Sequence, residues 1–434
     1  MIFRLLPVIL SGLLLAAHYS RASNDPMVLV ALVFPALLFF RQRWAVWAVQ
    51  LYLVLGGFVW VDTAYSIVRI RQSIGESWVR MALILGSVAV ITALSALVFR
   101  SQKLKDRFPK DTQRDIPLFS VFCFTAIFLI FIQLKVASPM LLLERFFPGW
   151  GVLEILILSV YAVFVLGKMR DPSTAPRWRV KIWTLFSIVF FGQLLLGLAG
   201  LDIFLMTGKL HLPVPAMIIA GPLFRGDGGF MLRLFLITVL LSGPAWCSHL
   251  CYVGAWDGLA SKAKKRPGSM PKWRHLARIL ILVGVVIAAD LLRLVGLSGS
   301  VATLLGILFG LVGIGIMVFA SRKTGVMVHC ITYCPMGLLA DWIGRISPFR
   351  MKIKQECTEC GACSKVCRYD ALSPENIKKR KTGLTCTLCG DCLPTCTEGW
   401  IHYGFLKMKP ETARLFFLVL VVGLHAIFMG VARL

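Results

Sequence analysis

The sequence predicts an all-α polytopic membrane protein with one small α+β domain near its C-terminus. Of its 434 residues, 58% are hydrophobic and only 16% are charged, and the mean hydropathy is +0.78. Soluble globular chains are far more polar than this. Apolar stretches of roughly 17–25 residues, the length that crosses a bilayer as a helix, recur along most of the chain. The longest polar segment, residues 321–412, holds most of the cysteines.

About eleven transmembrane helices are predicted from the apolar stretches. Their approximate ranges are 2–18, 25–40, 44–68, 80–99, 117–135, 150–167, 182–201, 230–246, 276–296, 302–320 and 413–432. The first is expected to remain as an anchor, although Arg4, the apolar run and the small residues near Ala22 are also features of a cleaved signal peptide. The long loop at 202–228, which contains His211, is expected to be either a solvated connection or a lid.

Basic residues predict which side of the membrane each loop faces. Five loops that would share one side contain 22 Lys and Arg, and the five on the opposite side contain 7. The basic set comprises 41–43, 100–114, 168–181, 247–278 and 321–323. Because Lys and Arg concentrate in cytoplasmic loops, this set and residues 321–412 are expected in the cytoplasm of a bacterium, at its inner membrane. Orientation and contact with anionic lipid explain the net charge of +26, and no motif indicates nucleic-acid binding.

Eight cysteines of the polar segment form two copies of one motif with the spacing C-x2-C-x2-C-x3-C. In such runs three thiolates bind one [4Fe–4S] cluster and the fourth binds the other cluster. The spacing therefore predicts one cluster on Cys357, Cys360, Cys363 and Cys396, and a second on Cys386, Cys389, Cys392 and Cys367. Structural zinc is the weaker interpretation, because zinc normally uses two separated C-x2-C pairs.

The segment at about 350–405 resembles the bacterial two-cluster ferredoxin. Gly361 and Gly390 follow the second cysteine of each copy and permit the tight backbone curvature that a cluster needs. The sequence departs from that pattern at Arg368 and Thr397, which replace the proline usually found after the fourth cysteine. Cluster ligation is expected to survive this change, whereas local packing and cluster potential are expected to differ.

Four more cysteines, Cys247, Cys251, Cys330 and Cys334, form two C-x3-C pairs. Residues i and i+4 share one face of a helix, so each pair can present two thiolates to a common centre at the same membrane surface. A third metal centre is the preferred hypothesis. The alternatives are a dithiol/disulfide redox pair, a four-thiolate zinc or copper site, and structural cysteines. His249 and His329, inside or beside the pairs, are either ligands, proton carriers or interfacial side chains.

Over about residues 180–410 the sequence is similar to the NapH/NosR family of membrane polyferredoxins. The resemblance rests on the order of spans, the C-x3-C pair followed by a C-x3-C-P pair at Pro335, and the double run. It implies electron transfer between membrane quinol and a redox partner. The sequence departs from the family at Tyr252, where a proline is expected after the second cysteine. It also lacks an obvious flavin-attachment domain, which argues against the flavin-bearing branch.

Four regions and one function are predicted. The regions are a membrane extension of unknown role (1–116), a membrane redox core (117–346), a ferredoxin-like domain (347–410) and a C-terminal transmembrane helix (411–434). The protein is expected to relay electrons between the quinone pool and a redox protein, and a quinol dehydrogenase or oxidoreductase subunit is the candidate enzyme class. The alternatives are a maturation protein that supplies electrons for assembly of another metalloenzyme, and an anchoring conduit subunit of a respiratory complex.

Polar residues at or within spans are candidates for a quinone pocket or proton path: Glu154, Gln193, Asp202, Arg233, Asp290 and Arg293.

Overall fold

The computed structural model describes residues 2–204 and 212–431, so His211 lies outside the described residues. The chain divides into two compact units, Met1–Val163 and Phe164–Leu434. Most of the described residues are helical, as the apolar composition requires, because a helix satisfies its own backbone hydrogen bonds in lipid.

The first unit is a bundle of helices. Its elements are α1 (Ile2–Arg21), α2 (Asp25–Val33), α3 (Arg43–Ser73), α4 (Val79–Leu94), α5 (Gln102–Arg107), α6 (Thr112–Lys135) and α7 (Leu142–Phe146), with 3₁₀ segments Phe34–Phe40 and Ser95–Arg100. Close packing of α3 on α4 depends on small residues, since a Cβ added at Gly57 would lie 3.1 Å from Ala93 Cβ. On the other side, α6 meets α3 where the Trp44 and Phe122 rings lie 5.9 Å apart. The compact unit therefore extends beyond residue 116, the predicted end of the N-terminal extension.

The second unit contains all twelve of the clustered cysteines. After α8 (Gly151–Met169), which spans the boundary at Val163, its helices are α9 (Ala175–Leu198), α10 (Met217–Arg225), α11 (Phe230–Ser242), α12 (Gly254–Ser261), α13 (Arg274–Leu294), α14 (Gly299–Gly315), α15 (Arg322–Thr324), α16 (Pro335–Ile343), α17 (Pro374–Lys378) and α18 (Pro410–Val431). Two strands, β1 (Phe349–Ile353) and β2 (Ile401–Phe405), complete it. Three π-helical segments interrupt the helices at Trp246–Leu250, Ile316–Ser321 and His329–Tyr333.

Nine helices of the described residues are long and apolar enough to cross a membrane. They are Arg43–Ser73, Val79–Arg100, Thr112–Lys135, Gly151–Met169, Ala175–Leu198, Phe230–Leu250, Arg274–Leu294, Gly299–Thr324 and Pro410–Val431. Each overlaps one predicted span. The other two predicted spans coincide with α1 and with the shorter apolar helix Asp25–Phe40. The prediction of a polytopic helical membrane protein is confirmed at this level, and the count of eleven stays a prediction.

Part of the loop at 202–228 packs against the middle of α14. A Cβ added at Gly306 would lie 2.8 Å from Leu212 Cδ1, and one at Gly310 would lie 2.8 Å from Val214 Cγ2. Both glycines are in the middle of α14, so residues 212–217 lie at that depth before α10 leads back out along α13. Irregular backbone is tolerated at membrane depth where protein surrounds it. We call residues 212–225 the re-entrant segment.

The small domain is attached to α18 by one end of its two-stranded ladder. β1 and β2 pair antiparallel, with Phe349 opposite Phe405 and Ile353 opposite Ile401. At the Phe349 end, which we call the inner end, the Phe349 ring lies 5.4 Å from the ring of Phe417 in α18. The Ile353 end, which we call the outer end, carries the first set of cysteines described below.

Candidate metal centres

Four predicted cluster ligands line one cavity at the outer end of the ladder. Ile353, Ile377 and Trp400 contribute to a cavity of about 30 Å³. The cysteines around it, which we call the first cysteine group, are Cys357, Cys360, Cys363 and Cys396. The structure thus brings together three cysteines of the first copy and the last cysteine of the second, the combination that the spacing predicts. Cys360 is exposed, so this cavity lies at the surface.

The remaining ferredoxin cysteines form a second cysteine group: Cys367, Cys386, Cys389 and Cys392. The last of these interacts electrostatically with the other three, which places all four close together. Burial raises the pKa of the Cys367 thiol to about 12. Such a thiol gives up its proton when a metal ion binds it, because metal ligation requires the thiolate.

Both copies of the motif have the same backbone. Glu359 and Leu388, directly before the second cysteine of each copy, have φ angles of 59° and 56°. Gly361 and Gly390, directly after it, have φ angles of 71° and 78°. Each copy then forms a single 3₁₀ turn before its fourth cysteine. Successive backbone N–H groups in such turns form concavities that bind anions, including iron–sulfur clusters.

The two C-x3-C pairs also meet, although α13 and α14 separate them in the chain. They line one apolar cavity of about 30 Å³. We call them the membrane cysteine group: Cys247, Cys251, Cys330 and Cys334. Trp246, Tyr252 and Met336 complete one part of the wall, and Pro215 and Ile218 of the re-entrant segment complete another.

Each C-x3-C pair lies on a π-helical turn, which corrects the expectation of an α-helical i, i+4 face. The backbone N–H of Cys251 donates to the carbonyl of Trp246 at 2.9 Å, and that of Cys334 donates to the carbonyl of His329 at 2.8 Å. Both second cysteines then turn into extended backbone, with ψ angles of 112° and 117°. The chain leaves the helix at the same point in both pairs, and single π turns of this kind recur at functional sites.

A helix begins directly after each pair and directs its N-terminus towards the cysteines. The sulfur of Cys251 accepts a hydrogen bond from the N–H of Gly254 at 3.3 Å, where α12 begins. The sulfur of Cys334 accepts one from the N–H of Gly337, in the first turn of α16. Free N–H groups and the positive end of the helix dipole favour negative charge on a sulfur.

Gly254 and Gly337 occupy equivalent positions that leave no room for a side chain. A Cβ at Gly254 would lie 3.0 Å from the carbonyl oxygen of Cys247 and 2.8 Å from the Trp183 ring. A Cβ at Gly337 would lie 2.6 Å from the carbonyl oxygen of Cys330. Each new helix therefore contacts the backbone of the first cysteine in its pair. The same spacing is visible in the sequence, where Gly254 and Gly337 each stand three residues after the second cysteine of a pair.

Buried charges that the sequence did not single out surround the membrane cysteine group. Arg278 of α13 forms an ion pair with Asp341 of α16, with 2.7 Å between Nη1 and Oδ2, and both side chains are buried. The guanidinium group of Arg278 reaches within 3.2 Å of a Cβ built at Gly337. Asp257 Oδ2 accepts a hydrogen bond from the N–H of Cys330 at 2.9 Å. In the sequence, Asp257 and Asp341 stand six and seven residues after the second cysteine of their pairs.

The two predicted histidines have different surroundings. His329 lines the cavity, and one of its ring nitrogens lies within 4.8 Å of a carboxylate oxygen of Asp257 and of the sulfur of Cys330. For His249, the distance between Nδ1 and the hydroxyl oxygen of Ser248 is 2.9 Å, and the ring packs against the Phe417 ring. Of the predicted intramembrane polar residues, none lines this cavity in the described ranges, and the Arg293 guanidinium lies beside Gly226.

A buried hydrophobic cluster joins the second cysteine group to the membrane cysteine group. Tyr369 and Trp183, both 2% exposed, pack in it with Cys330. Cys367 and Cys389 of the second group pack against the same cluster. The indole N–H of Trp183 also donates to the carbonyl oxygen of Cys251 at 2.7 Å. The second group and the membrane cysteine group are therefore joined through protein interior, with Tyr369 between them.

Arginine side chains hold the small domain on the helices. Arg179 of α9 pairs with Asp391, and Arg274 of α13 pairs with Asp370. Arg368 donates hydrogen bonds through Nη1 to the carbonyl oxygens of Ser261 at 2.6 Å and Gly325 at 2.9 Å. Arg368 stands where two-cluster ferredoxins usually have proline, so the departure from the pattern provides an attachment to the membrane part.

A family of 4Fe-4S binding domains matches residues 228–269 and 302–354. Each matched segment contains one C-x3-C pair, and neither reaches the double run that begins at Cys357. The part of the chain that resembles these domains is therefore the one that contains the membrane cysteine group.

Two curated relatives have names that refer to electron transport or ferredoxins. The chain is 26% identical over 223 residues to "Putative electron transport protein YccM" of Escherichia coli (strain K12), which covers 46% of this chain and 58% of that protein. It is 26% identical over 229 residues to the methylamine utilization ferredoxin-type protein MauN of Paracoccus denitrificans, covering 47% of this chain and 73% of the relative. The chain thus spans little more than half of the first relative. No solved structure matches.

Proposed function

We propose that this chain, an iron–sulfur electron transport protein similar to the membrane polyferredoxins, relays single electrons between the membrane quinone pool and a redox protein. It would do so at a bacterial inner membrane with the ferredoxin domain on the cytoplasmic side. The observation that carries the proposal is the buried cluster around Tyr369, which contacts cysteines of both the ferredoxin segment and the membrane part. Electron transfer along a chain of redox centres requires short distances between neighbouring centres, through protein rather than water.

The residues fit two [4Fe–4S] clusters in the ferredoxin domain. The first and second cysteine groups each supply four sulfurs from two copies with the same backbone. When bound, the clusters supply one-electron chemistry. The protein residues hold the sulfurs, orient N–H groups towards them and exclude water from the second group.

The membrane cysteine group is proposed to hold a third iron–sulfur centre. Its four cysteines line one apolar cavity, both second cysteines accept backbone N–H hydrogen bonds, and two helix N-termini face them. Arg278 also lies close to the start of α16, with its charge balanced by Asp341. These features favour an anionic thiolate-bound centre over four inert thiols, because buried negative charge requires such compensation.

The re-entrant segment is proposed to form the quinol side of the relay. Pro215 and Ile218 bring apolar side chains to the cavity wall, and the Tyr252 ring stacks on Phe190 with centroids 3.8 Å apart. An aromatic and apolar surface next to a redox centre suits a quinone ring and tail, since ligand sites are mostly apolar with few polar groups. Oxidation of the quinol would release two electrons, which leave one at a time, and two protons.

Iron and acid-labile sulfide per chain, with EPR of the reduced anaerobic protein, would test the centres. We expect about twelve irons in the wild type and about eight in a Cys247→Ser/Cys334→Ser variant. Cys123→Ser, at the one cysteine outside the three groups, is the control and should retain all the iron. About eight irons in both proteins would contradict a third cluster and leave a disulfide, another metal or a structural role.

Quinol-dependent reduction tests the relay itself. Addition of duroquinol to the oxidised protein should reduce the clusters in the wild type and fail in the Cys247→Ser/Cys334→Ser variant. Dithionite should reduce the ferredoxin clusters in both proteins, which shows that they remain intact. Clusters that dithionite reduces and quinol does not, in the wild type, would reject the quinone pool as the membrane partner and favour the role in assembly of another enzyme.

A further inference from the structure

We infer that the surface around Cys360 binds an acidic, soluble one-electron carrier protein. The inference rests on the proposed function and identifies the chemical class of its redox partner. In each encounter one electron would cross between the carrier and the cluster of the first cysteine group. One of them loses the electron and the other gains it, and no bond forms or breaks.

The first cysteine group is the point of the relay nearest to solvent. Cys360 is exposed, whereas Cys392 of the second group is buried. The second group lies against the buried cluster of Tyr369 and Trp183, and the first lies at the outer end of the ladder. A soluble carrier would therefore approach the chain of centres at Cys360, because electron transfer requires a short distance.

Exposed lysines lie beside this cavity. We call Lys352, Lys378, Lys379 and Lys381 the outer lysines, and all four are exposed. Lys381 forms a backbone bridge with Lys352 of β1, and Ile377, directly before Lys378, lines the cavity. These contacts keep the lysines close to the first cysteine group.

The other charges near the cavity leave the lysines in excess. Glu359 is paired with Arg380, with 3.0 Å between Oε1 and Nη1. Glu356 and Glu398 are the remaining exposed carboxylates close in sequence to the cysteines of this group. Lys354 and Lys365 are also exposed there, and their two positive charges equal those two negative charges in number. The balance is positive, so an acidic surface is attracted and correctly oriented before contact.

The position of the outer lysines favours a protein partner over lipid headgroups. The ladder packs on α18 at its inner end, through Phe349 and Phe417, and the outer lysines are at or near the other end. Lys407 and Lys409, which are also exposed, lie in the short connection from β2 to α18. Those two lysines are therefore the ones placed to meet lipid.

Stopped-flow reduction of the oxidised full-length protein by a pre-reduced, acidic plant-type [2Fe–2S] ferredoxin would test the inference. The variant is Lys379→Glu/Lys381→Glu, and the matched control is Lys407→Glu/Lys409→Glu, which changes the charge equally. We expect the second-order rate to fall about tenfold or more in the first variant and its dependence on salt to weaken. The control should stay within about twofold of the wild type at the same salt.

Equal rates in the two variants, whether both reduced or both unchanged, would overturn the inference. Rates measured in nanodiscs with and without phosphatidylglycerol distinguish contact of the lysines with lipid headgroups from contact with the carrier protein. A defect of Lys379→Glu/Lys381→Glu that occurs only with the anionic lipid would also overturn it. EPR after dithionite reduction checks that every variant retains its clusters. Electron exchange with ferredoxin that depends on the outer lysines, in a protein that quinol does not reduce, would support this inference while rejecting the proposed relay.

Discussion

The guanidinium group of Arg179 donates two parallel hydrogen bonds to the carboxylate of Asp391, at 3.1 Å from Nε and 2.6 Å from Nη2. Its Nη1 donates a third to the carbonyl oxygen of Ser248 at 3.0 Å. One buried side chain on α9 thus contacts both the second copy of the ferredoxin motif and the first C-x3-C pair. Bidentate pairs of this kind fix orientation as well as distance.

Arg179→Gln is expected to loosen the attachment of the small domain. The change leaves Asp391 without its partner in a site where the arginine side chain is only 5% exposed, which should cost about 3 kcal/mol. Hydrogen exchange of residues 350–405 should speed up, and transfer between the second cluster and the membrane centre should slow. Arg177→Gln, at an exposed position on the same helix, is the control. The same loss of protection in both variants would show that Arg179 has no special role.

Gly254→Ala and Gly337→Ala should each disturb the membrane centre. The added methyl group meets a backbone carbonyl of the first cysteine, so the helix must move and stability should fall by about 1–3 kcal/mol. The expected result is a lower melting temperature and partial loss of about four irons per chain. Gly284→Ala serves as the control because no heavy atom lies within 4 Å of its Cβ. Full iron content in both variants would argue against the contact as a requirement.

Pairs of cysteine substitutions should reveal how the ligands are shared between copies. Cys360 and Cys396 line the same cavity, so Cys360→Ser/Cys396→Ser should lose about four irons, no more than either single variant. Cys360→Ser/Cys367→Ser should lose about eight, because the two cysteines belong to different groups. Iron analysis of the two double variants and of the single variants Cys360→Ser and Cys396→Ser distinguishes shared ligands from separate ones. The opposite order of losses would mean that each copy holds its own cluster.

Removal of the clusters by oxidant and chelator should unfold the small domain and leave the helices folded. That domain has two five-residue strands and short turns, and its second cysteine group lies inside the domain. Metal binding and folding are coupled in such small domains. Far-UV circular dichroism should change little, whereas hydrogen exchange should increase across residues 350–405. Unchanged exchange there after complete iron loss would show that packing on α18 suffices.

The spacing of cysteines in the sequence predicted those parts of the sites that depend on local geometry. The two ferredoxin groups, including the crossing of Cys367 and Cys396 between copies, follow from a fixed motif, and the structure brings together these sets. The meeting of the two C-x3-C pairs followed from their predicted membrane depth. The rest depends on distant packing. No local pattern indicates that Pro215 reaches the cysteines, that Arg278 pairs with Asp341, or that the helix turns are π rather than α.

The division of the membrane cysteine group between two similar halves has a consequence for biogenesis. Cys247 and Cys251 precede α13, while Cys330 and Cys334 follow α14, so neither half alone offers four sulfurs. As the chain emerges from the ribosome and enters the bilayer, the first pair lacks the other two cysteines of the group. It meets them only after α13 and α14 have been inserted. Insertion of the proposed third centre would therefore be a late event in maturation, and a chain that stalls between the halves would lack that centre.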